Sequence, residues 1–233
     1  MLFAGCQTDA QTCSVINFAH TTVLIDEIKR FVFSNTLHIK PSDLVTSRMQ
    51  NIENLEAAFV EIHTQDVLSD SIDLVKKIRQ TNKKICIFIL ITHTKSFSGT
   101  NFYIAGADHC IKLYGDQQER QQLLSEALEN SHWKSPVHLQ LERTRLLLCS
   151  SSKRIEISYT EMTIIDALIN APEHVMSQDS IAKTLDPNIV FYDPRALEKT
   201  ISRLRTKIKK AYNLELILSV RAYGYRLRRC TVS

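Results

Sequence analysis

The residues with the clearest chemical potential are cations near the end of the chain. Residues 194–229 contain 11 Lys and Arg but only two Asp and Glu, which gives a net charge of +9. Within this stretch, apolar Leu197, Ile201, Leu204 and Ile208 recur at steps of four, three and four. This spacing predicts a helix with one buried face. A cationic face opposite an apolar one suits the grooves of DNA better than a small-molecule site.

The predicted helix, residues 194–211, and the segment after it supply the candidate DNA contacts. Lys199, Thr200 and Arg203 project from the middle of the exposed face and are predicted to reach base edges. Arg221 is the candidate for the neighbouring minor groove, where narrow A·T tracts attract Arg. The predicted phosphate contacts are Arg195, Arg205, Lys207 and Tyr223. Four other cations are interpreted as solvated surface charges: Lys209, Lys210, Arg228 and Arg229.

Length and charge distribution indicate two domains of different character. The 233 residues, 44% of them apolar, are enough for two domains with cores of their own. Residues 1–140 carry 13 Lys and Arg against 15 Asp and Glu, whereas residues 141–233 carry 16 against 10. The basic C-terminal part is therefore the one expected to meet nucleic acid. Pro136 breaks the helical pattern, so we place the domains at 1–130 and 137–233, with a linker at 131–136.

Several protein classes are disfavoured by what the sequence lacks. The longest apolar run, residues 85–91, is far shorter than a membrane helix. The six cysteines are scattered without a Cys-x-x-Cys pair, which favours free thiols in a reducing cytoplasm. The sequence shows no nucleotide-binding loop and no metal-ligand spacing. We therefore predict no cofactor, no metal, no membrane association and no enzymatic activity.

Shorter elements precede the basic helix. Residues 137–158 read as short strands with a turn at 150–152, and helices are predicted at 160–170 and 177–185. Ser177 is a plausible N-cap, and Pro194 suits the first turn of the basic helix. Gly224 is expected to give the final hairpin a residue that tolerates an unusual φ.

Three motifs in this order resemble the winged-helix effector domain of OmpR/PhoB-type response regulators. The family's recognition helix usually ends in Ile-Ser-Arg-Leu-Arg-x-Lys-hydrophobe, which residues 201–208 match. Its wing usually reads Val-Arg-Gly-x-Gly-Tyr-Arg-Leu, which residues 220–227 match with Ala222 in place of one Gly. Its first effector helix usually opens with hydrophobe-x-Leu-Thr-x-x-Glu, which residues 155–161 fit with small substitutions. The resemblance implies a winged helix-turn-helix transcription regulator that binds duplex DNA as a homodimer on tandem half-sites, with RNA polymerase as a further partner.

The first 130 residues alternate between predicted strands and helices. The strands are expected at 13–18, 55–62, 85–92 and 108–113, and the helices at 22–34, 72–80, 97–105 and 117–129. Such alternation predicts a parallel sheet covered on both faces. For a sheet of five strands, one more than the four placed on the sequence, the flavodoxin-like order is the expected one. The pattern resembles a response-regulator receiver, with Thr92 closing the fourth strand and Gly106-Ala107-Asp108 preceding the fifth.

The residues that a receiver needs for phosphorylation are largely replaced. The family carries an acidic pair for Mg²⁺ after strand one, a nucleophilic Asp at the end of strand three and a Lys after strand five. Here Ala19 and His20 follow the first strand, Glu61 stands at the phosphoacceptor position, and Leu113 aligns with the Lys. We expect a receiver that is not phosphorylated. Glu61 then either mimics the phosphoryl charge near Thr92 or is a solvated residue at a strand end.

Dimerisation and control leave alternatives open. The family dimerises through helix four, strand five and helix five with the help of salt bridges, but Glu126 stands where an Arg is usual. Apolar contacts through Tyr114, Leu124 and Leu128 are therefore the predicted dimer surface. One alternative is a conventional phosphorelay regulator that uses a displaced acid such as Asp66. The other is a module whose emptied receiver pocket binds a ligand or partner that controls the DNA-binding domain.

Overall fold

A five-stranded parallel sheet organises the N-terminal unit. The computed structural model describes residues 15–32, 36–38, 49–64, 68–92 and 98–233. The strands are β1 (Val15–Phe18), β2 (Thr36–His38), β3 (Ala57–Ile62), β4 (Cys86–Ile91) and β5 (His109–Lys112), in the order β2-β1-β3-β4-β5. All of their pairings are parallel. The predicted flavodoxin-like order is confirmed.

Helices cover both faces of this sheet. They are α1 (Thr22–Phe31), α2 (Leu68–Thr81), α3 (Thr100–Ile104) and α4 (Gln117–Glu129), with a 3₁₀ helix at Met49–Asn54. Strands β3 and β4 are buried along their whole length, as expected of parallel strands packed on two sides. The edge strand β2 was not among the four strands predicted. Three predicted elements, at 13–18, 22–34 and 97–105, extend partly outside the described residues.

The C-terminal unit is a winged helix. It begins with an antiparallel sheet of β6 (Gln140–Glu142), β7 (Leu147–Cys149) and β8 (Arg154–Glu156). Three helices follow: α5 (Tyr159–Asn170), α6 (Gln178–Leu185) and α7 (Pro194–Tyr212). A second sheet, in the order β10-β11-β9, combines β9 (Val175–Ser177), β10 (Ile217–Val220) and β11 (Gly224–Leu227). Across the described part of the chain, the helices are too short or too polar to span a bilayer.

Helix α7 has the two faces that its spacing predicts. Leu197, Ile201, Leu204 and Ile208 are all buried in the core of the C-terminal unit. Each such side chain contributes roughly 1.5–3 kcal/mol when fully buried. The helix begins after Asp193, whose side chain accepts a hydrogen bond from the Arg195 amide at 2.9 Å. Because one face is fixed against the core, the opposite face must point outward.

A buried cluster of ion pairs joins the two units. The carboxylate of Asp108, just before β5, lies 2.7 Å from Arg79 Nη2 of α2 and 3.1 Å from Arg229 Nε of the C-terminal unit. Arg229 Nη2 also lies 2.9 Å from Glu173 Oε2. Burial would raise the pKa of Asp108, but the Arg79 guanidinium and its other cationic neighbours hold that pKa well below its usual value. Asp108 is therefore ionised and balances two buried cations.

Arg228, which the sequence analysis interprets as a solvated charge, holds the predicted linker in place. Arg228 Nη2 donates to the carbonyl oxygens of Ser131 and Ser135 at 2.8 and 2.7 Å. Trp133 donates from Nε1 to Glu56 at 3.0 Å and packs against the core of the N-terminal unit. The interpretation of Arg228 and Arg229 as solvated charges is wrong, because both side chains are buried against partners that are distant in sequence.

We predict that Asp108→Asn lowers the free energy of unfolding by about 3–5 kcal/mol, because it leaves Glu173 alone to balance two buried guanidinium groups. Urea denaturation of the full chain measures the change. The control is Asp73→Asn, which removes only an exposed pair with Lys76 at 3.1 Å and should change stability by about 0–1 kcal/mol. Equal effects of the two substitutions would contradict the role given to Asp108.

Candidate nucleic-acid interface

The outward face of α7 presents a row of free cations. Arg195, Lys199 and Arg203 are exposed, and at steps of four they share one side of the helix. Over eight residues the row extends about 12 Å along the axis. None of the three side chains has a hydrogen-bond or ion-pair partner among the described residues. Thr200 lies beside them, half-buried, with its hydroxyl donating to the Ala196 carbonyl at 3.0 Å.

Two predicted phosphate contacts on α7 are instead engaged inside the domain. Arg205 donates from Nε to the Ile217 carbonyl at 2.7 Å and from Nη2 to Ser219 Oγ at 3.0 Å, both on β10. Lys207 Nζ lies 2.6 Å from Glu161 Oε2 of α5. Glu161 in turn completes the capping box that starts α5. These two cations fix α7 to its neighbours, so we withdraw them from the set of phosphate contacts.

The β10–β11 hairpin forms the wing. Arg221 and Tyr223 are exposed at its turn, which is closed by a hydrogen bond from the Tyr223 amide to the Val220 carbonyl at 3.1 Å. The expectation that Gly224 supplies an unusual φ is wrong: Ala222 takes the left-handed conformation, with φ of 55°. Gly224 is required because β9 approaches closely, and a Cβ there would lie 2.1 Å from the Met176 carbonyl oxygen.

An exposed apolar segment next to α7 escaped the sequence analysis. Val190 and Phe191, between α6 and α7, are 82% and 91% exposed. A signal was present in the sequence, because Ile189-Val190-Phe191 is an apolar run between Pro187 and Pro194. The predicted N-cap of α6 is confirmed, since Ser177 Oγ accepts from the Ser180 amide at 3.0 Å.

Glu61 lies in a pocket of donors at the end of β3. Its carboxylate accepts hydrogen bonds from the His20 amide at 2.6 Å, the Thr21 amide at 3.0 Å, the Thr21 hydroxyl at 3.0 Å and the Thr92 hydroxyl at 3.0 Å. Burial would raise the pKa of Glu61, but these hydrogen bonds outweigh it and hold the pKa below its usual value. The alternative of a solvated residue at a strand end is wrong, because Glu61 is buried.

The surrounding positions are poorly suited to Mg²⁺ and phosphoryl chemistry. Ala19 and His20 stand where the acidic pair is expected, and the His20 ring lies 4.3 Å from that of His63. Leu113, which aligns with the family's Lys, is buried in the core. Imidazole and methyl groups thus replace the oxygen ligands that Mg²⁺ prefers. Asp66, the displaced acid considered above, lies outside the described residues.

Within the described residues, one further group brings potential metal ligands together. Potential ligand atoms of Cys86, Asp108 and His132 lie within 4.8 Å of one another and are buried. The Asp108 carboxylate is already paired with two guanidinium groups, and burial raises the pKa of the Cys86 thiol. A cation would meet positive charge and a protonated thiol there, so we assign no metal to this group.

The predicted dimer surface needs correction. Leu124 and Leu128 are only 1% and 5% exposed and belong to the core of the N-terminal unit. They are therefore unavailable to a second chain. Tyr114 is exposed as predicted, and Leu123 is the exposed apolar residue of α4 on this side. The helical spacing of the leucines marks the core, as a run of apolar residues in a helix most often does.

Comparisons with known proteins agree with this geometry. The family model described as "Transcriptional regulatory protein, C terminal" matches residues 152–227, from β8 to the end of β11. The transcriptional regulatory protein PhoP of Escherichia coli strain K12 is 25% identical over 175 residues, or 73% of this chain and 78% of PhoP. The virulence transcriptional regulatory protein PhoP of Salmonella typhimurium strain LT2 is 23% identical over 175 residues, or 73% of this chain and 77% of that protein.

Two solved structures of regulators are also similar to this chain. The C-terminal domain of the nisin resistance regulator NsrR, a lantibiotic response regulator, is 35% identical over 38% of this chain and 90% of that chain, with a TM-score of 0.34. DrrB, an OmpR/PhoB homologue from Thermotoga maritima, is 14% identical over 93% of this chain and 99% of that chain, with a TM-score of 0.42.

We predict that Ala222→Gly raises the free energy of unfolding by about 0.5–1 kcal/mol. The left-handed conformation destabilises the folded state of an L residue by about 1–2 kcal/mol, and Gly removes this strain. The greater conformational entropy of Gly in the unfolded chain offsets about 0.5–1 kcal/mol of that gain. Urea denaturation measures the change. As a control, Ala196→Gly in α7 should lower stability by up to about 1 kcal/mol. A loss of stability at both positions would argue against strain at Ala222.

Proposed function

We propose that this chain, a member of the OmpR/PhoB family of DNA-binding transcription regulators, acts as a homodimer on tandem half-sites without phosphorylation of its N-terminal unit. We assign DNA binding to residues 137–233 and a receiver-like control unit to residues 1–130, joined by residues 131–136. The observation that carries the DNA-binding assignment is the row of unpaired cations on α7.

The arrangement of these cations supports separate roles for them. Lys199, Thr200 and Arg203, in the middle of the exposed face of α7, are proposed to reach base edges in the major groove. Arg203 has a free guanidinium, which can donate two parallel hydrogen bonds to guanine O6 and N7. Arg195 at the start of the helix and Tyr223 in the wing are proposed phosphate contacts, and Arg221 is the proposed minor-groove contact.

We predict that Arg203→Ala costs about 1–3 kcal/mol of binding free energy on a duplex selected from a random pool, and relaxes preference at one base pair. Fluorescence anisotropy of the full chain at fixed salt measures both effects. Lys210→Ala is the matched control, since Lys210 is an exposed cation near the other end of the same helix. A loss for Arg203→Ala of the same size on selected and random duplexes would reassign Arg203 to phosphate.

The bonding of Glu61 supports independence from phosphorylation. A phosphoryl group on a receiver Asp places negative charge within reach of the Thr at the end of strand four. Glu61 already places an ionised carboxylate 3.0 Å from the Thr92 hydroxyl. We propose that this carboxylate mimics the phosphoryl group and holds the N-terminal unit in one state.

The size of a winged-helix interface supports a dimer. A single DNA-binding module of this size buries on the order of 600–1,000 Å² of protein surface on DNA. Two linked modules gain affinity because the second one binds at a high effective concentration. A receiver that receives no phosphoryl signal is useful in this way only if it dimerises constitutively. We propose that Tyr114 and Leu123 form the apolar part of the contact.

We predict that the full chain sediments as a dimer at micromolar concentration, and that Mg²⁺ with beryllofluoride or acetyl phosphate leaves this unchanged. Analytical ultracentrifugation measures the oligomeric state, and intact mass spectrometry should show no phosphoryl adduct. Leu123→Glu should weaken the dimer, whereas Gln122→Glu adds the same charge at the neighbouring position and serves as control. A monomer that dimerises only with beryllofluoride would favour the conventional phosphorelay regulator.

The exposed segment before α7 supports a further partner. Val190 and Phe191 lie in the loop that leads into the proposed recognition helix, and large apolar side chains exposed together are typical of protein–protein contacts. A partner at this loop would sit next to the bound DNA. We propose RNA polymerase as that partner.

A further inference from the structure

A cavity lies between the two units, away from the proposed DNA-binding face of α7. Its volume is about 760 Å³, within the range of about 300–1,000 Å³ typical of small-molecule sites. The N-terminal unit contributes Tyr103, His109 and Lys112, and the C-terminal unit contributes Leu214, Leu218 and Arg226 among others. A molecule bound here would touch both units at once.

Arg226 in this cavity is a buried cation without a counterion. The residue is only 8% exposed, and its side chain has no hydrogen-bond or ion-pair partner within the part of the chain that the structure describes. Its guanidinium lies over the ring of Tyr103, 4.6 Å from the centroid. A ring face attracts the charge but accepts none of the five N–H donors in the usual way. Buried charges in folded proteins are normally paired, so this group lacks an acceptor.

The neighbouring side chains supply no anionic partner for the Arg226 guanidinium. Burial, and then the charge of Arg226, lower the pKa of His109 to about 3, so this imidazole is neutral. Burial raises the pKa of the Cys110 thiol to about 12 and that of Tyr103 above its usual value, so neither supplies an anion. Asp108 is committed to Arg79 and Arg229.

The carboxylates at the rim are committed elsewhere. Glu126 accepts from Gln122 at 3.0 Å and Glu129 from Ser125 at 3.4 Å, both within α4. Glu215 is paired with Lys209 at 3.1 Å. Arg228, another lining residue, also has a buried Nε atom without a partner. The wall around Arg226 therefore presents unpaired N–H donors and positive charge.

We propose that this cavity binds a small organic anion whose carboxylate or phosphate group pairs with Arg226. Ionised oxygens form the strongest hydrogen bonds with guanidinium groups, and they would satisfy the donors that the protein leaves free. Ile111, Leu214 and Leu218 line the same cavity, so the body of the anion is apolar or aromatic. This site is distinct from the pocket around Glu61 and does not depend on DNA binding.

Isothermal titration calorimetry of the full chain with 1-naphthyl phosphate and 1-naphthoate tests the proposal. At least one of them should bind, whereas 1-naphthol, which has the ring without the charge, should bind at least tenfold more weakly. Comparing the phosphate with the carboxylate identifies the preferred head group. The protein concentration is held fixed, because Tyr114 and Leu123 at the rim also belong to the proposed dimer surface.

Two variants locate the binding. Arg226→Gln should weaken binding of the preferred probe at least tenfold, whereas Arg203→Gln, which removes an exposed cation on α7, should leave it unchanged. Leu218→Trp fills the cavity without changing charge and should also weaken binding at least tenfold; it decides the matter alone if Arg226→Gln does not fold. The proposal is overturned if neither anion binds, if 1-naphthol binds equally well, or if affinity survives in the folded variants.

Discussion

The buried carboxylate of Asp108 is the interaction on which the arrangement of this molecule depends. It pairs with Arg79 from α2 and with Arg229 from the C-terminal unit, and it also accepts a hydrogen bond from the Ile87 amide of β4 at 2.9 Å. One side chain thus connects a helix, the central sheet and the second unit. Removing water from three charged groups is costly, and their mutual attraction offsets that cost only while all of them stay in place. The contact between the units is therefore specific in geometry rather than a loose apolar docking.

At the position where a receiver carries its phosphoacceptor, Glu61 is held in place by hydrogen bonds. The four hydrogen bonds to its carboxylate favour the ionised form, so its pKa lies below the usual value although the group is buried. The stability that Glu61 contributes is present above the pKa of the unfolded chain and is lost as the pH falls through the lower pKa of the folded state. Near neutral pH the charge beside Thr92 is constant. A charge that does not change cannot carry a signal, so the proposed phosphorylation-independent function requires that a signal enters at another site.

The sequence predicted the helices and strands better than it predicted the interaction partners of individual side chains. Hydrophobic spacing identified the buried face of α7 and four of the five parallel strands, because burial imposes a period on the chain. It missed β2, whose three residues at the sheet edge are too few to show a period. Nothing in the sequence distinguishes Arg203 from the cations Arg205, Lys207 and Arg228. The carbonyl and carboxylate partners of those three cations belong to elements that only the fold brings close to them. For the same reason Leu124 and Leu128 could not be distinguished from an exposed apolar stripe.

The wing contacts both units of this structure. At its turn, the backbone carbonyl oxygen of Arg221 accepts a hydrogen bond from the Thr100 hydroxyl of α3 at 3.2 Å. The Arg226 guanidinium of β11 lies over the Tyr103 ring of the same helix. The exposed cations Arg195, Lys199 and Arg203 of α7 have no such partner among the described residues, so of the two proposed DNA-contacting elements only the wing contacts the N-terminal unit. A molecule that pairs with Arg226 would act directly on the strand that carries the wing. Control of DNA binding through this contact needs no phosphoryl chemistry, which is consistent with a receiver whose charge at Glu61 is fixed.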